Sequence, residues 1–85
     1  MAKKGYIRKK NQAILDVIAV NLREYRNQKN ISVEKLAVLC DMEAKAIYNY
    51  EHGKVDISAS SIATIATHLE IEPHQLLVPE KKTSE

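Results

Sequence analysis

The stretch SVEKLAVLCDMEAKAIYNYEHG, residues 32–53, decides the fold. Ser32 is a predicted N-cap, because its hydroxyl can accept a hydrogen bond from a free amide in the first turn of a helix. Asp41 tolerates the left-handed conformation that ends a helix sharply. A second helix is predicted from near Glu43 to just before Gly53, which is expected to end it with a positive φ. The stretch therefore predicts two short helices joined by a turn of about four residues.

Amphipathic patterns on both sides of this stretch predict three more helices. Apolar residues at helical spacing predict a first helix from Asn11 to about Lys29. Ser58 is a candidate cap for a fourth helix, and Pro73 suits the first turn of a short fifth helix that Pro79 closes. The sequence shows no strand pattern, so the predicted fold class is all-α with five helices. Two short helices packed among others form a helix-turn-helix arrangement, although the spacing alone also fits a generic helical bundle.

The composition is typical of one small helical domain. The 85 residues are 45% hydrophobic, and two Gly and two Pro are too few for a turn-rich sandwich or barrel. The single cysteine, Cys40, excludes an internal disulfide, and His52, His68 and His74 lack the spacing of metal ligands. The longest apolar stretch, residues 13–20, is far shorter than the roughly 20 residues of a membrane span. We therefore expect a cytoplasmic, non-enzymatic protein without a cofactor, a metal site or membrane contact.

The net charge of +2 hides an asymmetry along the chain. Residues 1–30 carry eight basic and two acidic side chains, a net +6, whereas residues 31–85 carry five and nine, a net −4. We expect a flexible basic arm over residues 1–10, a folded domain over residues 11–79 and a polar tail over residues 80–85. A basic arm is typical of proteins that bind a polyanion, nucleic acid first, but a solvated tail has the same composition.

Residues that match one known sequence pattern, in order, are spread over most of the chain. They are Ile18, Leu22, Arg23, Tyr25, Arg26, Ile31 and Ser32; then Leu36, Ala37, Ile47, Glu51 and Gly53; then Ser58, Ile62, Ile65, Ala66, Leu69, Ile71, Pro73, Leu76 and Leu77. Through these residues the chain resembles the Cro/C1-type (XRE) helix-turn-helix family, the DNA-binding domain of phage repressors and many bacterial regulators. The resemblance implies a five-helix, phage-repressor-like DNA-binding domain with the helix-turn-helix at helices 2 and 3.

The resemblance also implies roles for particular residues. Arg26 and Glu51 match an Arg and a Glu that form a partly buried pair in the family and tie helix 1 to the end of helix 3. In the family, the residues that match Ala44, Lys45 and Asn49 face base edges in the major groove. These three positions are therefore expected to read the DNA sequence.

The outer face of helix 3 carries residue types that suit DNA. At about 100° per residue one arc holds Ala44, Lys45, Tyr48, Asn49 and His52. Lys45 can donate to guanine O6 and N7, and Asn49 can pair with adenine N6 and N7. Ala44 and the Tyr48 ring can contact a thymine methyl group, or the Tyr48 hydroxyl can bond a phosphate. On residue types alone, a merely solvated face fits as well.

Three departures from the family pattern disfavour contact with DNA. Val33 stands where the family pattern has a Gln at the start of helix 2. Asp41 stands where the pattern has a Gly in the turn, and Glu43 where it has a Ser or Thr that caps helix 3. Residues 32–56 carry three Lys and five acidic side chains, a net −2, whereas a duplex carries one negative charge per roughly 1.7 Å. Binding is therefore expected to depend on cations outside the arc. These are Arg23, Lys54, Lys9 and Lys10.

The sequence predicts a repressor-like transcriptional regulator that binds an operator in double-stranded DNA as a homodimer, with helix 3 in the major groove. One alternative is the antitoxin of a toxin–antitoxin pair, which binds DNA and also a cognate protein partner. Another is a protein-interaction domain that has kept the fold and lost DNA binding. Lys45 and Asn49 favour the first two hypotheses, whereas Val33 and the negative central stretch favour the third.

Overall fold

The computed structural model describes residues 10–79, which form five helices and no strand. The helices are α1 (Gln12–Gln28), α2 (Val33–Cys40), α3 (Ala44–Glu51), α4 (Ala59–Leu69) and α5 (His74–Leu77). The predicted all-α, five-helix fold with a helix-turn-helix at α2 and α3 is confirmed. Residues 1–9, which make up most of the predicted arm, and residues 80–85, the predicted tail, lie outside the described residues.

Two serines cap helices as the sequence predicts. The Ser32 hydroxyl accepts a hydrogen bond from the Lys35 amide at 3.0 Å, at the start of α2. The Ser58 hydroxyl accepts one from the Ser61 amide at 3.0 Å, at the start of α4. Glu43 makes no such bond, so α3 begins without a side-chain cap. The acidic residue at this position therefore leaves free amides at the start of α3.

Left-handed backbone conformations end α2 and α4 and follow the end of α3. Asp41 has φ 57° and Glu70 has φ 63°, so neither needs a glycine to turn the chain. Gly53 has φ 65°, as the sequence predicts. A Cβ at Gly53 would lie 2.9 Å from Asp16 Oδ1 and 3.3 Å from Gln12 Nε2. Both the backbone conformation and the close approach of α1 therefore require glycine here.

The core lies where the five helices converge. Its largest fully buried side chains are Leu22, Leu36, Ile47, Ile65, Leu69 and Leu76. α2 packs on α3 and α4, whereas α1 packs on α3 and α5. Burial raises the pKa of the Cys40 thiol, so the reactive thiolate is disfavoured. Within residues 10–79 no helix combines the length and the hydrophobicity needed to cross a membrane.

A buried amide on α1 holds the end of the domain in place. Asn21 is 3% exposed, and its Nδ2 lies within hydrogen-bonding distance of three backbone carbonyls. They belong to Gln75 at 3.2 Å, Leu76 at 3.0 Å and Val78 at 2.9 Å. The short α5 lacks enough internal hydrogen bonds to define its own position. Asn21 therefore fixes α5 against α1.

Candidate nucleic-acid interface

The exposed face of α3 contains most of the predicted arc. Lys45, Tyr48 and His52 are exposed, and Asn49 is half-buried. Ala44 is also half-buried and packs against the hydrophobic core, so only part of its surface faces outward. Four of the five side chains are therefore placed to meet a ligand on this face, and Ala44 contributes less than the helical arc predicts.

An ion pair holds the carboxyl end of α3 against α1. Arg26 Nε lies 2.5 Å from Glu51 Oε2, and Arg26 Nη2 donates to Glu51 Oε1 at 3.0 Å. A third donor, Arg26 Nη1, bonds the Ile31 carbonyl at 2.8 Å. Glu51 is only 2% exposed, and its hydrogen bond raises the pKa of Arg26 above the ordinary value. The pair implied by the family resemblance is confirmed, and it fixes the direction of α3.

A second arginine supports the same helix end. Arg23 is half-buried, and its Nη1 donates to the Glu51 backbone carbonyl at 2.6 Å. That carbonyl belongs to the last turn of α3, where the helix leaves acceptors unsatisfied. Arg23, predicted from the sequence only as a contact with DNA, therefore also positions α3. Spacing along the chain gave no signal for this bond, because it joins residues on different helices.

The side chains of Tyr48, His52 and Lys54 form a cluster that we call the Tyr48 stack. The Tyr48 and His52 rings are stacked, with centroids 4.0 Å apart and planes inclined by 27°. Lys54 Nζ lies 5.7 Å from the centroid of the Tyr48 ring, within the range of a cation–π contact. Sequence reasoning placed all three near DNA but did not predict that they touch. The four-residue spacing of Tyr48 and His52 on one helix face is the signal that was available.

The start of α1 lies beside the carboxyl end of α3. Lys10 Nζ donates to the Lys54 carbonyl at 3.1 Å. Gln12 Nε2 donates to the Gly53 carbonyl at 2.8 Å and to Asp16 Oδ1 at 2.9 Å. Two predicted site lysines, Lys10 and Lys54, are therefore brought together, and both are exposed. The predicted contribution of Lys9 lies outside the described residues.

The two ends of α3 differ in charge. At its amino end, Asp41 and Glu43 are exposed acidic residues. At its carboxyl end, Lys54 and Lys10 are exposed cations and the Glu51 carboxylate is paired with Arg26, although Asp16 and Asp56 are exposed acids there. The balance of charge therefore suits phosphate better at the carboxyl end of α3 than at the amino end.

Val33, which replaces the polar residue of the family pattern at the start of α2, is half-buried and packs against the core. Its side chain has no donor with which to bond a phosphate. Val33 therefore offers no hydrogen bond to DNA. α2 offers Glu34 and Lys35 as exposed polar residues in its first turn instead.

Comparisons with known proteins agree with this geometry. The family model described as helix-turn-helix (HTH_3) matches residues 22–76. A search of curated protein sequences finds no match. Among solved structures, the chain is similar to the restriction-modification controller protein C.AhdI from Aeromonas hydrophila, with 36% identity and a TM-score of 0.72. The match covers 75% of this chain and 97% of the other.

Two further solved structures share the architecture. A hypothetical transcription factor, NHTF, from Neisseria is 28% identical with a TM-score of 0.76, and the match covers 87% of this chain and 86% of that one. An HTH_3 family transcriptional regulator from Vibrio cholerae is 19% identical with a TM-score of 0.74, covering 79% of this chain and 38% of that one, and shows the fold alone. Because the family model spans more than half of the sequence, the chain belongs to the Cro/C1-type helix-turn-helix family of DNA-binding transcriptional regulators.

Proposed function

We propose that this protein represses transcription by binding an operator as a homodimer, with α3 in the major groove and α2 across the DNA backbone. The observation that carries the proposal is the fixed position of α3, which presents Lys45 and Tyr48 outward with Asn49 beside them. A helix that reads bases must hold its side chains at defined positions, and bonds from α1 provide that support.

The chemistry of the face suits recognition of a mixed sequence. Lys45 is exposed and carries donors for guanine O6 and N7. Asn49 is half-buried, which restricts its rotation, and its amide has the donor and acceptor that adenine N6 and N7 require. Tyr48, with 47% of its surface exposed, offers an apolar ring for a thymine methyl group. Each half-site is therefore expected to contain a guanine close to an adenine.

Contacts with the phosphate backbone are assigned to the cationic end of α3. Lys54 and Lys10 are exposed there, and Arg23 keeps guanidinium donors beyond the one bonded to Glu51. The predicted contact by Lys9 extends this set along the chain. These cations offset the repulsion that Asp41 and the other acidic residues of the central stretch exert on DNA.

A homodimer is proposed because one α3 reaches too few base pairs for specific regulation. Its eight residues present only three side chains suited to base edges. Two copies related by a two-fold axis read two half-sites about 34–36 Å apart on one face of the duplex, which roughly doubles the base contacts. The operator is therefore expected to be a palindrome.

A second candidate function adds a protein partner. Val38, on α2, is 75% exposed, and Leu39 beside it is 38% exposed. Apolar side chains next to the acidic Asp41 favour contact with another protein, as an antitoxin or a protein-interaction domain requires. This candidate predicts that Val38→Ser weakens association with a partner protein and leaves DNA binding unchanged.

Selection from random duplexes tests the proposed function. Purified protein is mixed with a library of random double-stranded DNA, and bound molecules are amplified and sequenced over several rounds. We expect an inverted repeat with half-site centres about 10 base pairs apart. Failure to enrich any sequence, with the helical circular dichroism spectrum intact, would overturn DNA recognition and favour the protein-interaction candidate.

A further inference from the structure

The histidine at the end of α3 is held in one orientation by a backbone carbonyl. His52 Nδ1 lies 2.8 Å from the Tyr48 carbonyl oxygen. A carbonyl oxygen only accepts hydrogen bonds, so Nδ1 must carry the proton. The proton that the ring gains or loses therefore belongs to Nε2, which has no hydrogen-bond partner within residues 10–79.

This assignment gives the two protonation states different partners. In the neutral ring, Nε2 presents a lone pair and can only accept, so it repels a phosphate oxygen. In the charged ring, Nε2–H donates, and the contact with phosphate becomes charge-assisted. A neutral Nε2 suits the amino group of cytosine or adenine instead. Proton uptake on binding therefore distinguishes a phosphate contact from a base contact.

The position of His52 favours phosphate. In helix-turn-helix complexes the amino-terminal residues of the recognition helix contact base edges. His52 is the C-cap of α3, at the opposite end, and Lys54 and Lys10 lie at that end. The end of α3 beyond Asn49 is therefore the part whose charge suits the DNA backbone.

Within residues 10–79 no carboxylate forms a hydrogen bond with the His52 ring. Glu51 is bonded to Arg26, whereas on α1 the exposed Asp16 accepts from Gln12 and keeps its negative charge. Arg23, from α1, adds positive charge by bonding the Glu51 carbonyl. A bound phosphate supplies the negative charge that favours the protonated ring.

In the loop after α3, the exposed Asp56 follows Lys54 by two residues and adds one negative charge. On α2, Glu34 acts on Arg26, while Asp41 and Glu43 lie at the opposite end of α3. The Tyr48 ring stacks on His52 and tolerates a cation, as its contact with Lys54 shows.

We propose that operator binding is coupled to proton uptake at His52, which contacts a DNA phosphate through Nε2–H. This inference rests on the proposed function, since it requires a bound operator. The reaction is a simple protonation: Nε2 gains one proton from solvent as the protein–DNA complex forms. Affinity therefore rises as the pH falls, because the complex holds one more proton than the free protein.

Binding of the selected operator, measured between pH 5.5 and 8.5 at constant salt, tests the coupling. For the wild type we expect the dissociation constant to rise by up to about tenfold per pH unit per subunit in the middle of this range. For His52→Gln we expect little dependence on pH, because the Gln amide donates at every pH. His52→Asn, which keeps a donor near the Tyr48 carbonyl, provides a second pH-insensitive variant if Gln disturbs the end of α3.

Two controls separate this coupling from general effects of pH. His68→Gln, on α4, and His74→Gln, on α5, change exposed histidines outside α3 and should behave as the wild type. For the wild type the slope of log affinity against log salt should be steeper at pH 6 than at pH 8 by about 0.9 per subunit. Equal pH dependence in wild type and His52→Gln, or pH-independent binding of the wild type, would overturn the coupling alone. Absence of operator binding at every pH would overturn the proposed function as well.

Discussion

Lys45 and Asn49 project from the same helix but are expected to read different bases. We expect Lys45→Ala and Asn49→Ala each to weaken binding to the selected operator by about 1–3 kcal/mol, because each removes a bidentate base contact. Binding to random DNA should change little. Competition gel shifts with operator and random duplexes measure both quantities.

Lys29 provides the matched control for these variants. It is an exposed lysine on α1 whose amine pairs with Glu70 at the end of α4, away from α3. Lys29→Ala removes the same charge as Lys45→Ala but should leave the preference for the operator intact. If Lys45→Ala and Asn49→Ala both bind the operator like the wild type, the assignment of base contacts is wrong.

The Arg26–Glu51 pair makes a prediction about stability. Arg26→Ala and Glu51→Ala should each lower the free energy of unfolding by about 3 kcal/mol, because each leaves a poorly solvated charge without its partner. The double variant should lose less than the sum of the two, by about 1 kcal/mol or more. Urea denaturation of the four proteins gives the coupling energy, and strict additivity would mean that the pair does not form in solution.

Single residues also show where sequence reasoning succeeds. Ser32, Ser58 and Gly53 were predicted correctly because capping and positive φ depend on residues close in sequence. Asn21 and the bond from Arg23 to α3 were missed, because each joins helices that are distant along the chain. A polar residue next to Leu22, within the apolar stripe of α1, was the available signal for Asn21, but its three carbonyl partners depend on how α5 packs.

At the scale of elements, two substitutions in the turn between α2 and α3 test the effect of charge and the effect of backbone conformation separately. Asp41 adopts a left-handed conformation that Asn tolerates and Ala does not. Asp41→Asn should raise affinity for DNA by roughly twofold to fivefold, as expected for one surface charge, with stability nearly unchanged. Asp41→Ala should give the same gain in affinity and lose about 1 kcal/mol of stability.

Fluorescence anisotropy with labelled operator and thermal unfolding measure these two effects separately. An unchanged affinity in both variants would mean that the turn lies too far from phosphate for its charge to act.

The element boundaries themselves were predictable, because each helix carries its own apolar stripe and most have local stop signals. The packing of Ala44 against the core was not predictable, because helical spacing places residues around one helix but does not show which of them the neighbouring α2 covers.

For the whole molecule, the basic segment before α1 should control salt dependence. Residues 1–9 contain four cations, Lys3, Lys4, Arg8 and Lys9. Lys10, the next residue, bonds the Lys54 carbonyl in the loop after α3. Changing all four cations to Gln in the full chain should flatten the slope of log affinity against log salt by about 2–4 per subunit.

Stability should not change in that variant, which thermal unfolding checks, and titrations at several salt concentrations give the slope. An unchanged slope would mean that the segment does not contribute to binding.

The need for such cations was predictable from composition, since the central stretch carries a net −2. The meeting of Lys10 and Lys54 was not, because it depends on α1 packing along α3.

The most direct test of the account is the ratio of affinities for the selected operator and for random duplex at one physiological salt concentration, with the stoichiometry determined in the same titration. A Cro/C1-type domain that reads bases through Lys45 and Asn49 should prefer the operator by about a thousandfold or more, with two subunits bound per site. Equal affinity for both duplexes, or no binding to either by a fully folded protein, would contradict the account.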